Sequence, residues 1–169
     1  MLAIKIIIYS FIFLTCSVIG ILISKKYSNR VQELKEFKSA LNIFKTKIRY
    51  TYDPIPEIFL EIAKNLNSNI SNVFSIAANK MDILAAGDAW NLAIKFEMLN
   101  INDEDRMVLK NLSKLLGKTD LEGQINQIDI TENYLEEQIR KAETQREKSE
   151  KMYRTLGMII GLTIVIVLV

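Results

Sequence analysis

The chain has 169 residues, of which 49% are hydrophobic and 25% charged, and its 22 basic and 20 acidic side chains give a net charge of +2. A balance so close to neutral gives no basis for nucleic-acid binding. Histidine is absent and Cys16 is the single cysteine, so the commonest general base, the commonest metal ligand and a disulfide framework are all excluded. We expect no cofactor, no metal site and no enzymatic activity.

The first element is an apolar segment whose only charge between Leu2 and Ile23 is Lys5. A helix of about 22 residues, at about 1.5 Å per residue, spans the ~30 Å hydrocarbon core of a bilayer. A cleaved signal peptide is the alternative interpretation, but no small-residue cleavage site follows and the apolar run is longer than an ordinary signal-peptide core. The pattern favours an uncleaved transmembrane helix at 2–24.

A helical stripe continues directly from this segment as far as Tyr50. Its apolar side chains recur at steps of three and four residues: Val31, Leu34, Phe37, Leu41, Phe44 and Ile48. Asp53 and Pro54 then interrupt the pattern. Because Asp before Pro is typical of an N-cap followed by the first helical position, a second helix is predicted to start there and to end at 67–69.

Three short helices are predicted between Pro54 and the residues around position 96, the last of them starting after Gly87. Their expected core residues are apolar side chains at helical spacing: Ile58, Phe59, Ile62, Leu66, Val73, Phe74, Ala77, Ala78, Met81, Ala89, Leu92, Ala93 and Phe96. We assign Trp90 to the core as well. The alternative, for Trp90 as for Tyr50 and Tyr52, is an exposed aromatic that docks a partner.

A fifth helix is predicted to begin after Asn102 as its N-cap, with three acidic residues, 103–105, in the positive first turn. These acids do not indicate a metal site, because adjacent positions on a helix point in different directions. The expected core residues of this helix are Leu109, Leu112, Leu115 and Leu116. Gly117 is expected to end it in the left-handed conformation.

The sixth and longest helix is predicted from Thr119, which has the capping-box spacing to Glu122. Its apolar residues repeat at near-heptad spacing, interrupted by Glu132: Leu121, Ile125, Ile128, Leu135, Ile139 and Ala142. The Gly117-Lys118-Thr119 triplet resembles the end of a phosphate-binding loop. However, Leu112 stands where that motif requires glycine, and no strand precedes it, so nucleotide binding is not expected.

The chain ends in an uncharged segment, 155–169, that is shorter than the ~20 residues of an ordinary transmembrane helix. A peripheral or core-packed tail is the alternative, but Gly157 and Gly161 form a small-residue face suited to close helix contact in lipid. Cationic residues flank both apolar segments on their inner sides: Lys25, Lys26, Arg30, Arg146, Lys148, Lys151 and Arg154. By the positive-inside rule the middle of the chain is predicted to be cytoplasmic.

These elements predict an all-α protein, a membrane-anchored antiparallel bundle of about six helices whose long first and last helices run into terminal transmembrane segments. The expected domains are an N-terminal transmembrane helix at 2–24, a cytoplasmic helical bundle at 25–154 and a C-terminal transmembrane segment at 155–169. We expect the two long helices to form a stalk, with the four shorter elements at its distal end.

Three short motifs resemble the stage III sporulation protein AB family. They are the run from Tyr52 to Glu57, the run from Leu116 to Asp120 together with Gln124, and the run from Lys151 to Gly157 before the apolar end. The motifs occur in the family's order over essentially the whole chain. The candidate partner-binding residues are taken from the first two motifs: Asp53, Pro54, Pro56, Glu57, Leu116, Gly117, Asp120 and Gln124.

The resemblance implies a non-enzymatic platform in the secretion-like channel that endospore-forming bacteria build between mother cell and forespore. The family's helical domain is similar to the inner-membrane platforms of type II secretion and type IV pilus machines. The implied partners are the bilayer and other proteins of the stage III sporulation AA to AH complex, especially the AA ATPase. A homo-oligomer, with a second copy of the chain as partner, is left open. The implied location is the mother-cell membrane around the forespore.

Two other classes of function remain open from the residues alone. A small membrane enzyme would need a polar cluster within a span or paired carboxylates at the interface, and neither is visible in the sequence. A membrane-tethered helical adaptor of an unrelated signalling or transport assembly has the same pattern as a platform, and only its partners would separate the two.

Overall fold

The computed structural model describes residues 2–51, 53–66 and 68–168. The helices are α1 (Leu2–Tyr50), α2 (Ile55–Asn65), α3 (Asn69–Lys80), α4 (Ala86–Phe96), α5 (Asp103–Asn111) and α6 (Leu121–Leu168), with a 3-10 turn, Leu112–Lys114, after α5. No strand occurs in these described ranges. The all-α class and the long first and last helices are therefore confirmed.

The chain divides into two compact units, and α1 and α6 contribute to both. The first, which we call the hairpin unit, consists of the described residues of Met1–Val31 and Lys141–Val169. The second, the bundle unit, is Gln32–Arg140. The domain boundaries expected at 24/25 and 154/155 stay predictions.

In the hairpin unit α1 and α6 run antiparallel and approach each other through glycines. A Cβ added at Gly157 would lie 2.9 Å from the carbonyl oxygen of Cys16 and 3.1 Å from Cα of Gly20, and one at Gly161 would lie 3.2 Å from the Cβ of Cys16. Backbones this close leave no room for a side chain between them. The predicted small-residue contact at Gly157 and Gly161 is confirmed.

Most apolar side chains of the hairpin unit face outward. The most apolar 18-residue window in each long helix is only 11% buried, whereas the core helix of a soluble protein would be mostly buried. Phe11, for example, is 71% exposed. Both helices are long and apolar enough to cross a membrane. This exposure and composition indicate association with a membrane.

The bundle unit is built around an aromatic cluster contributed by α1, α2, α3 and α4. Its members are fully buried: Phe37, Phe44, Phe59, Phe74 and Trp90. Neighbouring rings meet edge to face with centroids 5.0 to 6.4 Å apart, the geometry that aromatic quadrupoles favour. The indole Nε1 of Trp90 donates a hydrogen bond of 2.8 Å to the carbonyl of Leu109 on α5. The core assignment of Trp90 is confirmed.

Ion pairs join α1 to α6 along one side of the bundle unit. The ammonium of Lys45 contacts Asp129 at 2.8 Å and Glu132 at 2.5 Å, and Lys38 pairs with Glu136. Glu132 can occupy a position in the apolar repeat because the ammonium of Lys45 pairs with its carboxylate. Burial alone lowers the pKa of Lys45, but the hydrogen bonds to the two carboxylates outweigh burial and hold that pKa above its ordinary value.

Two predicted helix starts are wrong. Pro54, with extended backbone, is the N-cap of α2 and no side chain caps this helix, so Asp53 lies one residue too early for the expected role. Gly87 lies in the first turn of α4 rather than before it. A Cβ at Gly87 would collide with the carbonyl oxygen of Ser113, so glycine lets α4 pack directly against the 3-10 turn.

The expected cap of the sixth helix is also wrong by one residue. Asp120, not Thr119, accepts the N–H of Gly123 at 3.0 Å, and the Thr119 hydroxyl instead donates to Asp120 at 3.2 Å. The fifth-helix cap is confirmed, because Asn102 and Asp105 form a reciprocal capping box. Gly117 has the expected left-handed backbone, with φ of +70°, although α5 ends earlier, at Asn111.

Some expected core residues lie at the surface. Phe96 is 69% exposed because it is the last residue of α4, where Ile94 takes the inward position. Leu115 is 38% exposed because the 3-10 turn before it rotates the chain more tightly than an α-helix. Leu66 is a half-buried C-cap. The predictions that involve Tyr52 and Asn67 fall outside the described residues.

Candidate protein-docking site

Two segments selected from the sequence, 53–57 and 116–124, meet at one end of the bundle unit. A Cβ added at Gly117 would lie 3.1 Å from the Cβ of Ala86 and 3.8 Å from Cδ1 of Ile55. Ile55 is the first residue of α2 and Ala86 the first of α4, and α6 begins at Leu121. Three helix starts therefore converge around Gly117. We call this surface the Gly117 end.

Most candidate residues at the Gly117 end are accessible to a partner. Asp53, Pro54, Glu57, Gly117 and Asp120 are exposed. Pro56 and Gln124 are half-buried. Leu116 is the exception, because it is only 2% exposed and packs in the core, where it supports the turn rather than presenting a surface.

The Gly117 end is acidic. Asp53 precedes α2, Glu57 and Asp88 lie in the first turns of α2 and α4, and Asp120 caps α6. Carboxylates are favoured there because the first turn of a helix carries a partial positive charge. Exposed carboxylates brought together on one surface also attract a basic partner at low ionic strength.

The turn into α6 is fixed by short-range polar bonds. Lys118 N donates to Leu115 O at 3.0 Å, and the side-chain Nε2 of Gln124 donates to the carbonyl of Thr119 at 3.3 Å. The Oε1 of Gln124 is buried and has no hydrogen-bond partner in the described part of the chain. Backbone and side-chain bonds thus hold the exposed Gly117 and Lys118 in place.

A second polar site was missed from the sequence because its partners are far apart in the chain. Glu33 of α1 is 7% exposed and accepts hydrogen bonds from the backbone N and the Nδ2 of Asn100, at 2.7 and 2.6 Å. Burial raises the pKa of Glu33, while the bonds from Asn100 partly oppose that rise. The sign of this site in the sequence was an acidic residue, Glu33, directly before Leu34 of the apolar stripe. Glu33 clamps the α4–α5 loop.

No metal-binding cluster accompanies these sites. Among the described residues there is no group of three or more His, Cys, Asp or Glu side chains that could hold an ion. The acidic run 103–105 is used locally, because Asp105 is fully buried and completes the capping box with Asn102. What the Gly117 end offers chemically is an exposed, acidic and polar surface.

The comparisons with known proteins agree with the motifs. The family model described as stage III sporulation protein AB matches residues 5–169. Stage III sporulation protein AB of Bacillus subtilis strain 168 is 28% identical over 153 residues, covering 88% of this chain and 90% of that protein. A solved structure of stage III sporulation protein AB has a TM-score of 0.67 and 25% identity, and covers 71% of this chain and 98% of its own. This chain belongs to the stage III sporulation protein AB family.

Proposed function

We propose that this chain is a non-enzymatic membrane platform of the secretion-like channel between mother cell and forespore, and that it docks the cytoplasmic AA ATPase of the same complex. The observation that carries the docking proposal is the convergence around Gly117 of two segments more than 50 residues apart in the chain. Family membership supports a role in sporulation.

The proposed arrangement in the membrane follows from charge. The apolar helices of the hairpin unit would anchor the chain in the mother-cell membrane around the forespore. Lys25 and Lys26 follow the first apolar segment, and Lys151 and Arg154 precede the second. The positive-inside rule then favours a cytoplasmic bundle unit. A reporter fused within the exposed turn 82–85, between α3 and α4, would be accessible from the cytoplasm in this topology, and extracytoplasmic reporter activity would contradict it.

Docking at the Gly117 end is expected to depend on charge. Exposed carboxylates at an interface steer association and make it sensitive to salt, while a contact of modest area remains weak. Asp53→Asn combined with Asp120→Asn removes two charges with little change of shape. Asparagine is also a good N-cap, so the start of α6 should be preserved.

The experiment is a titration of the purified AA ATPase against the full-length protein in lipid nanodiscs. We expect saturable binding that weakens with added salt and falls several-fold in the Asp53→Asn/Asp120→Asn variant. The matched control, Glu97→Gln with Asp103→Asn, removes two exposed or partly exposed charges, one at the C-cap of α4 and one at the first residue of α5, and should bind normally. No saturable binding would contradict the docking role, and nucleotide turnover by this chain alone would indicate an enzyme.

The alternative function is a membrane-tethered helical adaptor of an unrelated signalling or transport assembly. It uses the same surface with a different partner, so purification from sporulating cells separates the two proposals. Recovery of other stage III sporulation proteins supports the platform, and their absence alongside a different stable partner supports the adaptor.

A further inference from the structure

A groove in the bundle unit, lined by residues other than those of the Gly117 end, has the composition of a second docking site. It is an open groove of about 750 Å³ between the C-terminal half of α4 and the segment formed by α5 and the 3-10 turn. The residues that line it include three lysines and no acidic side chain: Asn91, Leu92, Lys95, Phe96, Met107, Lys110, Asn111, Ser113 and Lys114. We call it the α4–α5 groove.

The lysines of the α4–α5 groove are available to a ligand. All three lysines of the lining, Lys95, Lys110 and Lys114, are exposed. They form no ion pair with any described residue. Lys95 and Lys110 occupy the last turns of their helices, where a cation is favoured by the helix dipole. That effect explains a positive residue at each helix end. It does not explain the absence of any acid from the whole lining.

The apolar part of the groove is exposed as well. Phe96 is 69% and Met107 is 60% exposed, although each lies beside half-buried or buried neighbours on the same helices. A large aromatic ring next to a flexible methionine is the composition of surfaces that bind the apolar face of a helix. The lining of the groove therefore combines exposed apolar side chains with three lysines.

The floor of the groove is rigid and holds an unsatisfied acceptor. Asn91 donates through Nδ2 to the Ser113 hydroxyl at 2.9 Å, and that hydroxyl donates to the carbonyl of Lys110 at 2.7 Å. The Oδ1 of Asn91 is buried and has no hydrogen-bond partner among the residues that the structure describes. Since Gly87 packs against Ser113, α4 and the 3-10 turn cannot shift easily to relieve this atom.

We propose that the α4–α5 groove binds an acidic amphipathic helix of a partner protein. Leucine-like side chains of that helix would contact Phe96 and Met107, and its carboxylates would pair with Lys95, Lys110 and Lys114. Charge complementarity identifies the occupant, because the groove is locally positive in a chain whose net charge is only +2. The lining of this groove shares no residue with the acidic Gly117 end and would suit a partner of opposite charge.

The test uses the full-length protein in nanodiscs of neutral lipid and a fluorescent synthetic peptide with leucines along one helical face and glutamates along the other. We expect saturable binding in anisotropy titrations. A scrambled peptide of the same composition and a peptide with lysine in place of glutamate should not bind. Binding that does not distinguish these peptides would overturn the proposal.

Two variants locate the site. Reversing charge with Lys95→Glu and Lys110→Glu should weaken peptide binding about tenfold, whereas Lys64→Glu with Lys80→Glu, on exposed positions of α2 and α3, should not. Phe96→Ala should also weaken binding, and Ile83→Ala, equally exposed but outside the groove, should leave it unchanged. Unchanged binding in both groove variants would place the peptide elsewhere and overturn the assignment.

Two further measurements address other occupants. Binding to vesicles that contain anionic lipid is measured with and without the acidic peptide. If this binding depends on the groove lysines and the peptide does not displace the vesicles, the surface binds membrane and the proposal is overturned. Groove-dependent association of nanodiscs in the absence of peptide would make it an interface between copies of this chain, with the same consequence. The proposal requires that the peptide bind the groove, and that neither vesicle binding nor nanodisc association depend on the groove residues.

Discussion

Helices α1 and α6 contact each other in both compact units, but the contacts are of different kinds. In the hairpin unit the helices meet through Gly20 and Gly157, with backbone atoms close enough to exclude any side chain. In the bundle unit Lys45 holds Asp129 and Glu132 across the same pair of helices, beside an aromatic core. The same two helices therefore change their means of association along their length.

The difference has a physical cause in the solvent expected around each unit. In water, burial of apolar area drives helices together, so a core of large aromatic side chains stabilises the bundle. Ion pairs form at the margin of that core. In lipid the surroundings are as apolar as leucine, and close backbone packing through small residues becomes the main source of attraction. The two units should therefore respond differently to substitution, with the largest effect in the aromatic core.

Trp90→Ala should destabilise the bundle unit by about 3–5 kcal/mol, because it empties the centre of the aromatic cluster and removes the hydrogen bond to Leu109. The measurement is chemical unfolding of the full-length protein in detergent, followed by far-ultraviolet circular dichroism. Phe96→Ala, an aromatic truncation at an exposed position of the same helix, is the control and should change stability by less than about 0.5 kcal/mol. Equal losses would mean that the cluster does not hold the unit together.

Lys45→Met should cost about 1–3 kcal/mol, because it leaves the nearly buried carboxylate of Glu132 without its cation. Changing Glu132 to Leu in the same protein should restore most of that loss, since both charges are then absent. A double-mutant cycle from the four unfolding curves gives the coupling between the two side chains. Additive losses in the cycle would show that the pair does not contribute to the α1–α6 contact.

Gly157→Val should separate α1 from α6 in the hairpin unit, because its Cβ would meet the carbonyl of Cys16 and Cα of Gly20. The overpacking should cost about 1–3 kcal/mol. Spin labels at Phe11 and Leu162, both exposed, report the separation in nanodiscs by pulsed electron resonance. Met158→Val, at an exposed neighbouring position, is the control. The bundle unit should keep its unfolding midpoint in both variants, and a loss there would contradict the contrast between the units.

The helices with strong apolar periodicity were predictable from the sequence, because a stripe of residues such as Phe37 and Leu41 has only one face to bury. The Asn102 cap and the positive φ of Gly117 were predictable too, since each depends on local chemistry. Starts of α2 and α6 were wrong by one residue. At α6 the neighbouring Thr119 and Asp120 both have cap-competent side chains, whereas α2 starts without any side-chain cap, so only the observed backbone fixes either start.

The candidate docking surface was predictable in its parts and not in its assembly. The motifs around Pro54 and Gly117 were visible in the sequence, but their meeting depends on how α2, α4 and α6 pack. The Glu33 clamp on Asn100 was not predictable for the same reason, since its partners are 67 positions apart. The α4–α5 groove was hidden because Phe96 fits the apolar period of its helix and was therefore assigned to the core.

The smallest expected effect is a pH dependence from Glu33, whose burial raises its pKa in the folded state. Because the folded pKa lies above the unfolded one, the folded protein binds a proton more readily. Glu33 should therefore stabilise the fold increasingly as pH falls from neutral through its raised pKa towards its ordinary value of 4.5. Glu33→Gln should remove this gain, which appears as the difference between the two unfolding free energies measured across that pH range.

Glu136 provides the control of opposite sign. Its hydrogen bond with Lys38 lowers the pKa of its carboxyl below 4.5, so its contribution is present above that pH and is lost as the pH falls further. Compared with Glu136→Gln, the unsubstituted protein should therefore lose stability only under more acidic conditions. If Glu33→Gln and Glu136→Gln changed the pH profile in the same direction, the pKa of Glu33 would be lowered rather than raised in the folded protein. Burial would then not dominate the environment of Glu33 at its contact with Asn100.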